Sequence, residues 1–179
     1  MNTRYERVGA MRIGIALCAI CSVAALAGPW LCTPLPRIVY NASDSVPPGW
    51  YLVDAAAAPR TGRFVLARLP ADAAALAAQR RYLPSRVPLL KPVAAVAPHR
   101  LCMRDRKLSI DGITVGVALT ADRLGRPLPL WSQCRRLRDG ELFLLSTTNP
   151  ASFDSRYFGP ISVSDVLGVA RPLWTWDSR

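Results

Sequence analysis

Three short stretches hold side chains that could do chemistry together. The first is Asn41–Tyr51, NASDSVPPGWY, with Ser43 and Ser45 two residues apart ahead of Pro-Pro-Gly. A serine attacks a carbonyl only if a base takes its proton. The one histidine, His99, sits in a polar Pro-His-Arg context that suits a surface or hinge role. The alternative base is a neutral lysine, which needs burial against apolar groups to lose its proton. Lys91, in PLLKPVAA, has such neighbours. It is one of only two lysines beside 21 arginines, and Arg cannot give up its proton in a protein. In mid-strand it either snorkels to solvent or is a functional buried amine. Lys107, in RDRKLSIDG, reads as a solvated hairpin lysine. The third stretch is Asn149–Pro160, NPASFDSRYFGP. Read alone, it is a loop pinned by an Asp154–Arg156 ion pair.

These stretches need a scaffold. At 179 residues the chain fits one domain plus an appendage. Sixteen prolines and few long helical patterns point to a turn-rich, mostly β body. Strands are expected near residues 50–54, at Gly62–Pro70, at Val87–Ala97, at Glu141–Ser146, and once or twice near the end. Residues 70–83, PADAAALAAQRRYL, give one helix, with Pro70 in the first turn and Pro84 as the stop. Asp111-Gly112 between two β-prone runs signals a hairpin. Residues 98–141 form an inserted excursion. Cys102 and Cys134 suit a disulfide that closes it, worth roughly 3–4 kcal/mol in the chain-entropy model. No further Cys or His stands at metal-ligand spacing, so neither metal nor cofactor is expected.

Residues 13–32 carry no charge and follow a basic tail, 1–12. They read as a transmembrane anchor that leaves the body, 33–179, outside the cytoplasm. Ala25-Leu26-Ala27 also resembles a leader cleavage site. The net charge of +11 fits a surface beside anionic inner-membrane lipid. No nucleic-acid motif or stacking platform accompanies it, so no nucleic-acid partner is expected. Trp50 and Tyr51 suit either that interface or the core. Ser45 lies 13 residues beyond Cys32, so an extended linker spans at most about 45 Å.

Taken together, the three stretches resemble the signal peptidase I family of serine–lysine peptidases. The resemblance implies an antiparallel β body, Ser45 as nucleophile, Lys91 as general base, and Ser43 with the Ser45 N–H as the oxyanion hole. Ser152, Asp154, Arg156 and Gly159 match the family's late Ser-x-Asp-Ser-Arg-x-x-Gly box. Ser152 would orient the lysine, and Arg156 would support the loop. The match is closer to the TraF branch from conjugative transfer systems, in four segments: SDSVPPGWY, Leu83–Val93, Gly125–Cys134 and SFDSRYFGP. It covers about residues 35–170. In that branch Asp154 would be catalytic; in ordinary signal peptidases it mainly pairs with Arg156. Val46 replaces the methionine common after the nucleophile, and Pro98-His99 replaces the usual Gly-Asp.

The branch implies a propilin or other membrane-inserted peptide as substrate, components of a conjugative secretion system as partners, and head-to-tail cyclisation as the outcome. The alternatives are an ordinary signal peptidase cleaving secretory leaders and a non-catalytic, membrane-anchored subunit of a pilus complex.

Overall fold

Alternating apolar and polar residues, cut by Gly and Pro turns, make strands the main regular element of the body. The computed structural model describes residues 14–25 and 37–176. Residues 14–25 form helix α1. Among the described residues no helix is long and apolar enough to cross a membrane. The expected tail 1–12, most of the flanks of the expected span 13–32, Cys32 and two residues of the Ala-Leu-Ala site lie outside the described residues.

In the body, β1 (Ile38–Asn41), β2 (Gly49–Asp54) and β3 (Phe64–Ala67) precede helix α2 (Ala71–Gln79). Then come β4 (Leu89–Val96), β5 (Arg100–Arg104), β6 (Lys107–Ile110), β7 (Ile113–Val117) and β8 (Cys134–Arg136). β9 (Glu141–Leu144), helix α3 (Ser155–Phe158), β10 (Ile161–Ser162), a 3-10 turn at Val163–Asp165 and β11 (Val166–Thr175) complete it. Seven strands form one antiparallel sheet in the order β1-β2-β11-β3-β4-β9-β10. The excursion forms a second, four-stranded sheet, β7-β6-β5-β8.

Most of the expected elements are present, with three differences. The helix stops at Gln79, four residues before the expected end. Arg81 turns left-handed there, and the Tyr82 and Leu83 N–H groups both reach back to the Ala77 carbonyl. A second body helix, the single turn α3, accompanies the one expected. It forms because the Asp154 carboxylate caps the Arg156 N–H. The excursion is a four-stranded sheet rather than a lone hairpin.

The expected Asp111-Gly112 turn is present, with both residues at positive φ. A second two-residue turn, Asp105-Arg106, also has both residues at positive φ but lacks glycine. Arg106 stabilises it by donating from Nε to the Ala118 carbonyl at 2.9 Å and from Nη2 to the Leu119 carbonyl. Cys102 and Cys134 face each other across β5 and β8 and are joined by a disulfide, as expected.

The excursion sheet shares a buried cluster with the site end of the large sheet. Leu101, Leu108, Trp131, Phe143, Leu145 and Tyr157 meet there. Burying side chains of this size is worth about 1.5–3 kcal/mol each. A second cluster, with Tyr51, Val46 and Leu90, lies under the first serine stretch. Tyr51 therefore belongs to the core, whereas Trp50 stands on the surface.

Candidate active site

The segment Ala42–Pro48 links β1 to β2 and carries both serines. It is an irregular turn, so side chains must hold its backbone. Asn41 supplies most of the grip. Its amide donates to the carbonyls of Ser43 (2.8 Å), Val46 (3.0 Å) and Pro47 (3.3 Å). The Tyr51 hydroxyl also donates to the Pro47 carbonyl, at 2.6 Å. Gly49 is required at the far end. It sits at φ +141°, and a Cβ there would lie 2.2 Å from the Trp174 carbonyl oxygen on β11. The Pro-Pro-Gly run thus lets β11 close over the end of the loop.

Ser45 is buried at the head of this loop. Its hydroxyl donates to Ser152 Oγ at 3.3 Å. Lys91 Nζ meets the same Ser152 oxygen. Three of the expected residues therefore converge from sequence separations of 107 and 61. Ser152, rather than a direct bond, joins Ser45 to Lys91.

Lys91 is carried on β4 and is only 2% exposed. It does not snorkel. Burial pushes its amine down to about 8, against an opposing pull from Asp154. Roughly a tenth of the amine is then neutral at pH 7 and about half at pH 8, against almost none for an ordinary lysine, and a general base needs that neutral form.

Asp154 is fully buried and paired with Arg156, Oδ1 to Nε at 2.8 Å and Oδ2 to Nη2 at 2.9 Å. Its oxygens also accept the Arg156 and Ser146 backbone N–H groups. It makes no hydrogen bond to Ser45 or Lys91. In this geometry Asp154 is the ion-pair partner of Arg156, the place that ordinary signal peptidases would give it, and it reaches Lys91 only through its charge. Breaking a buried pair of this kind costs about 3–5 kcal/mol. Lost activity in an Asp154 variant would therefore reflect lost folding as readily as lost chemistry. Arg156 further donates to the Ser152 carbonyl at 3.0 Å and to the Val117 carbonyl at 2.8 Å. These bonds tie Arg156 to the loop that carries Ser152.

Ser43, expected at the oxyanion hole, has its hydroxyl engaged within the loop: it donates to Asn41 Oδ1 at 2.8 Å, and the residue is exposed. Gly159 fits its motif for a steric reason. It has φ +81°, and a Cβ would lie 2.6 Å from Trp131. Trp131 belongs to the GRPLPLW segment, so two separated motifs are one packed contact. Pro98-His99 makes the turn from β4 to β5, where His99 Nδ1 pairs with Asp111 at 2.6 Å. His99 has a surface role.

Sequence reasoning missed Asn41 and Ser146. Ser146 Oγ donates to the Ser45 carbonyl at 2.7 Å. An asparagine at a strand end beside two serines is a turn signal that points to the first. No local signal marks the second.

The site opens into a cleft of about 810 Å³. Val39, Leu66, Leu83 and Leu90 form apolar wall, and Asp44, Arg123 and Asn149 stand among its polar lining. Such a cleft can take an extended peptide and bring one carbonyl to Ser45. Among the described residues no cluster of His, Cys, Asp and Glu could hold a metal ion.

Residues 10–176 match the family described as signal peptidase, peptidase S26, and the chain belongs to that family. Its curated relatives are conjugation proteins. The plasmid transfer protein TraF of Escherichia coli is 35% identical over 91 residues, covering 49% of this chain and 51% of that one. The conjugal transfer protein TraF of Agrobacterium fabrum is 39% identical over 92 residues, covering 50% and 51%. In these two matches the chain spans about half the relative's length. The "Probable conjugal transfer protein TraF" of Sinorhizobium fredii is 28% identical over 200 residues, covering 98% and 95%. A crystal structure of a signal peptidase I from Enterococcus faecalis superimposes with a TM-score of 0.38 at 21% identity, covering 63% of this chain and 97% of that one.

Proposed function

We propose that the protein is a serine endopeptidase of the signal peptidase type, with Ser45 as nucleophile and neutral Lys91 as general base, acting on a membrane-inserted peptide of a conjugation system. The observation that carries this is the buried Lys91 amine, joined to Ser45 through Ser152 at the head of an apolar cleft.

The Ser45 proton passes to Ser152 Oγ as the Ser152 proton passes to the Lys91 amine. Ser45 Oγ then adds to a substrate carbonyl next to small residues. The Ser45 N–H receives the oxyanion, and Ser43 joins it after rotating away from Asn41. Lys91 returns the proton to the leaving amine. Water or a second amine then resolves the acyl-enzyme.

The relatives' names support a role in conjugal transfer; the resemblance to the TraF branch is what suggests a pilin precursor as substrate and ring closure by the precursor's own N-terminal amine. A membrane setting draws support from exposed apolar side chains at one edge of the large sheet. Tyr40, Trp50, Leu173, Trp174 and Trp176 stand exposed at the β1-β2-β11 edge, and Tyr40 packs on both Trp50 and Trp176. Aromatic side chains of this kind favour the headgroup layer. With the apolar N-terminal segment as anchor, the body would face the periplasm beside the inner membrane.

The test is co-expression of the full chain with candidate pilin precursors, reading product masses. Processing by the wild type, and none by Ser45→Ala or Lys91→Arg, is expected. A product lighter than its linear form by one water means a ring. Full activity of Lys91→Arg would reject the neutral-amine base, since Arg stays charged.

A further inference from the structure

We infer that Ser146 is a positioning residue for the nucleophile, and that the buried Asp154–Arg156 pair acts on Ser45 through it. This rests on the reading of Ser45 as nucleophile.

A chain of hydrogen bonds runs from the ion pair to the nucleophile's own carbonyl. Arg156 grips both Asp154 oxygens. Asp154 Oδ2 accepts the Ser146 N–H at 3.1 Å. Ser146 Oγ donates to the Ser45 carbonyl at 2.7 Å and accepts the Asn149 N–H at 3.3 Å. Thr148 Oγ1 reaches the same Ser45 carbonyl at 3.4 Å, a weaker second contact. Ser146 is itself buried, so these bonds form away from competing water.

The bond has a specific mechanical effect. Asn41 holds the carbonyls of Ser43, Val46 and Pro47 from the base of the loop. It leaves the Ser45 carbonyl alone. That carbonyl, the Ser45 N–H and the Cβ all project from the Ser45 backbone. Fixing its direction sets Ser45 ψ and with it the aim of Oγ toward Ser152. Without the Ser146 hydroxyl, this peptide plane can turn. A displacement of about 1 Å in a reacting group costs on the order of 100-fold in rate.

Ser146 is not a proton carrier for Ser45. Its single hydroxyl proton is committed to the Ser45 carbonyl. It makes no hydrogen bond to Lys91, and neither does Asp154. An Asp154 substitution would disturb both the ion pair and the charge felt by Lys91. Ser146 is uncharged, so it isolates the positional effect.

The test compares full-chain wild type, Ser146→Ala, Ser146→Cys and Ser45→Ala on an internally quenched peptide with alanines at its junction. Both Ser146 variants are expected to lose roughly 10- to 100-fold in kcat, with KM and the pH midpoint unchanged. Cysteine keeps the side-chain shape while offering only a weak donor, so it carries the test if the alanine variant does not fold. Wild-type kcat in a folded Ser146 variant would overturn the inference. So would a shifted pH midpoint, which would mean that Ser146 acts on Lys91 instead. Cleavage by Ser45→Ala would instead sink the underlying reading of the nucleophile.

Discussion

Replacing Lys91 by methionine should abolish activity and yet stabilise the fold at neutral pH. The buried amine titrates near 8 instead of its ordinary 10.5. One pH unit of such a displacement is worth 1.36 kcal/mol, so holding the charged form in the native state costs about 3 kcal/mol. The sign follows from proton counts. Between pH 8 and 10.5 the unfolded chain binds a proton at Lys91 that the native chain has shed, so stability rises with pH. Below pH 8 both states bind it, and the full cost is present. Above 10.5 neither does, and the cost is gone. Methionine is of similar length and carries no charge. Its advantage over wild type should therefore be greatest near pH 7 and shrink by roughly 2–3 kcal/mol by pH 10. The lost contact with Ser152 and any change in packing add an offset that does not vary with pH. Chemical denaturation of both full-length proteins from pH 6.5 to 10.5 measures the difference. A gap that stays flat across that range would refute the reasoning.

The same amine predicts the pH–rate curve: kcat/KM should rise about tenfold per unit from acid pH and level off near 8. Peptide cleavage rates across pH 6–10 would show this, and a limb near 6 or near 10 would exclude Lys91 as the base. Removing the disulfide with Cys102→Ser, which opens a loop of sequence separation 32, should cost about 3–4 kcal/mol by denaturant titration. Gly159→Ala would drive a methyl group to within 2.6 Å of Trp131 and force a left-handed backbone on alanine. A loss of at least 2 kcal/mol is expected, and Trp131 fluorescence should report the repacking.

Lys91 stood out because it is a rare and chemically awkward choice in its setting, whereas Ser45, Ser152 and Arg156 were given their places by the family resemblance. A lysine among leucines and valines needs a reason, and so does an Asp-Ser-Arg run between strands. The supporting groups were not legible. Ser146 is one hydroxyl at the end of an apolar strand, and its role exists only once β9 lies against the Ser45 loop. Ser43 was given a duty by the family resemblance, and its bond to the nearer Asn41 oxygen was not foreseen. The Asp111-Gly112 turn announced itself through glycine. Asp105-Arg106 did not, because its strain is offset by carbonyls on the distant 118–119 segment. That hidden turn is why a four-stranded sheet read as a single hairpin.

The excursion is joined to the 152–159 loop at three points. Arg156 donates to the Val117 carbonyl, the Leu119 N–H donates to the Tyr157 hydroxyl, and the Trp131 N–H donates to the Arg156 carbonyl. None of these bonds survives if either partner segment moves alone. In hydrogen-exchange terms the two segments should open as one cooperative unit. The Leu119 and Trp131 amides should then exchange at a common rate set by that shared opening, which would also carry Ser152 away from Lys91. The 117–131 segment would thereby help set how long the site stays assembled between local unfolding events.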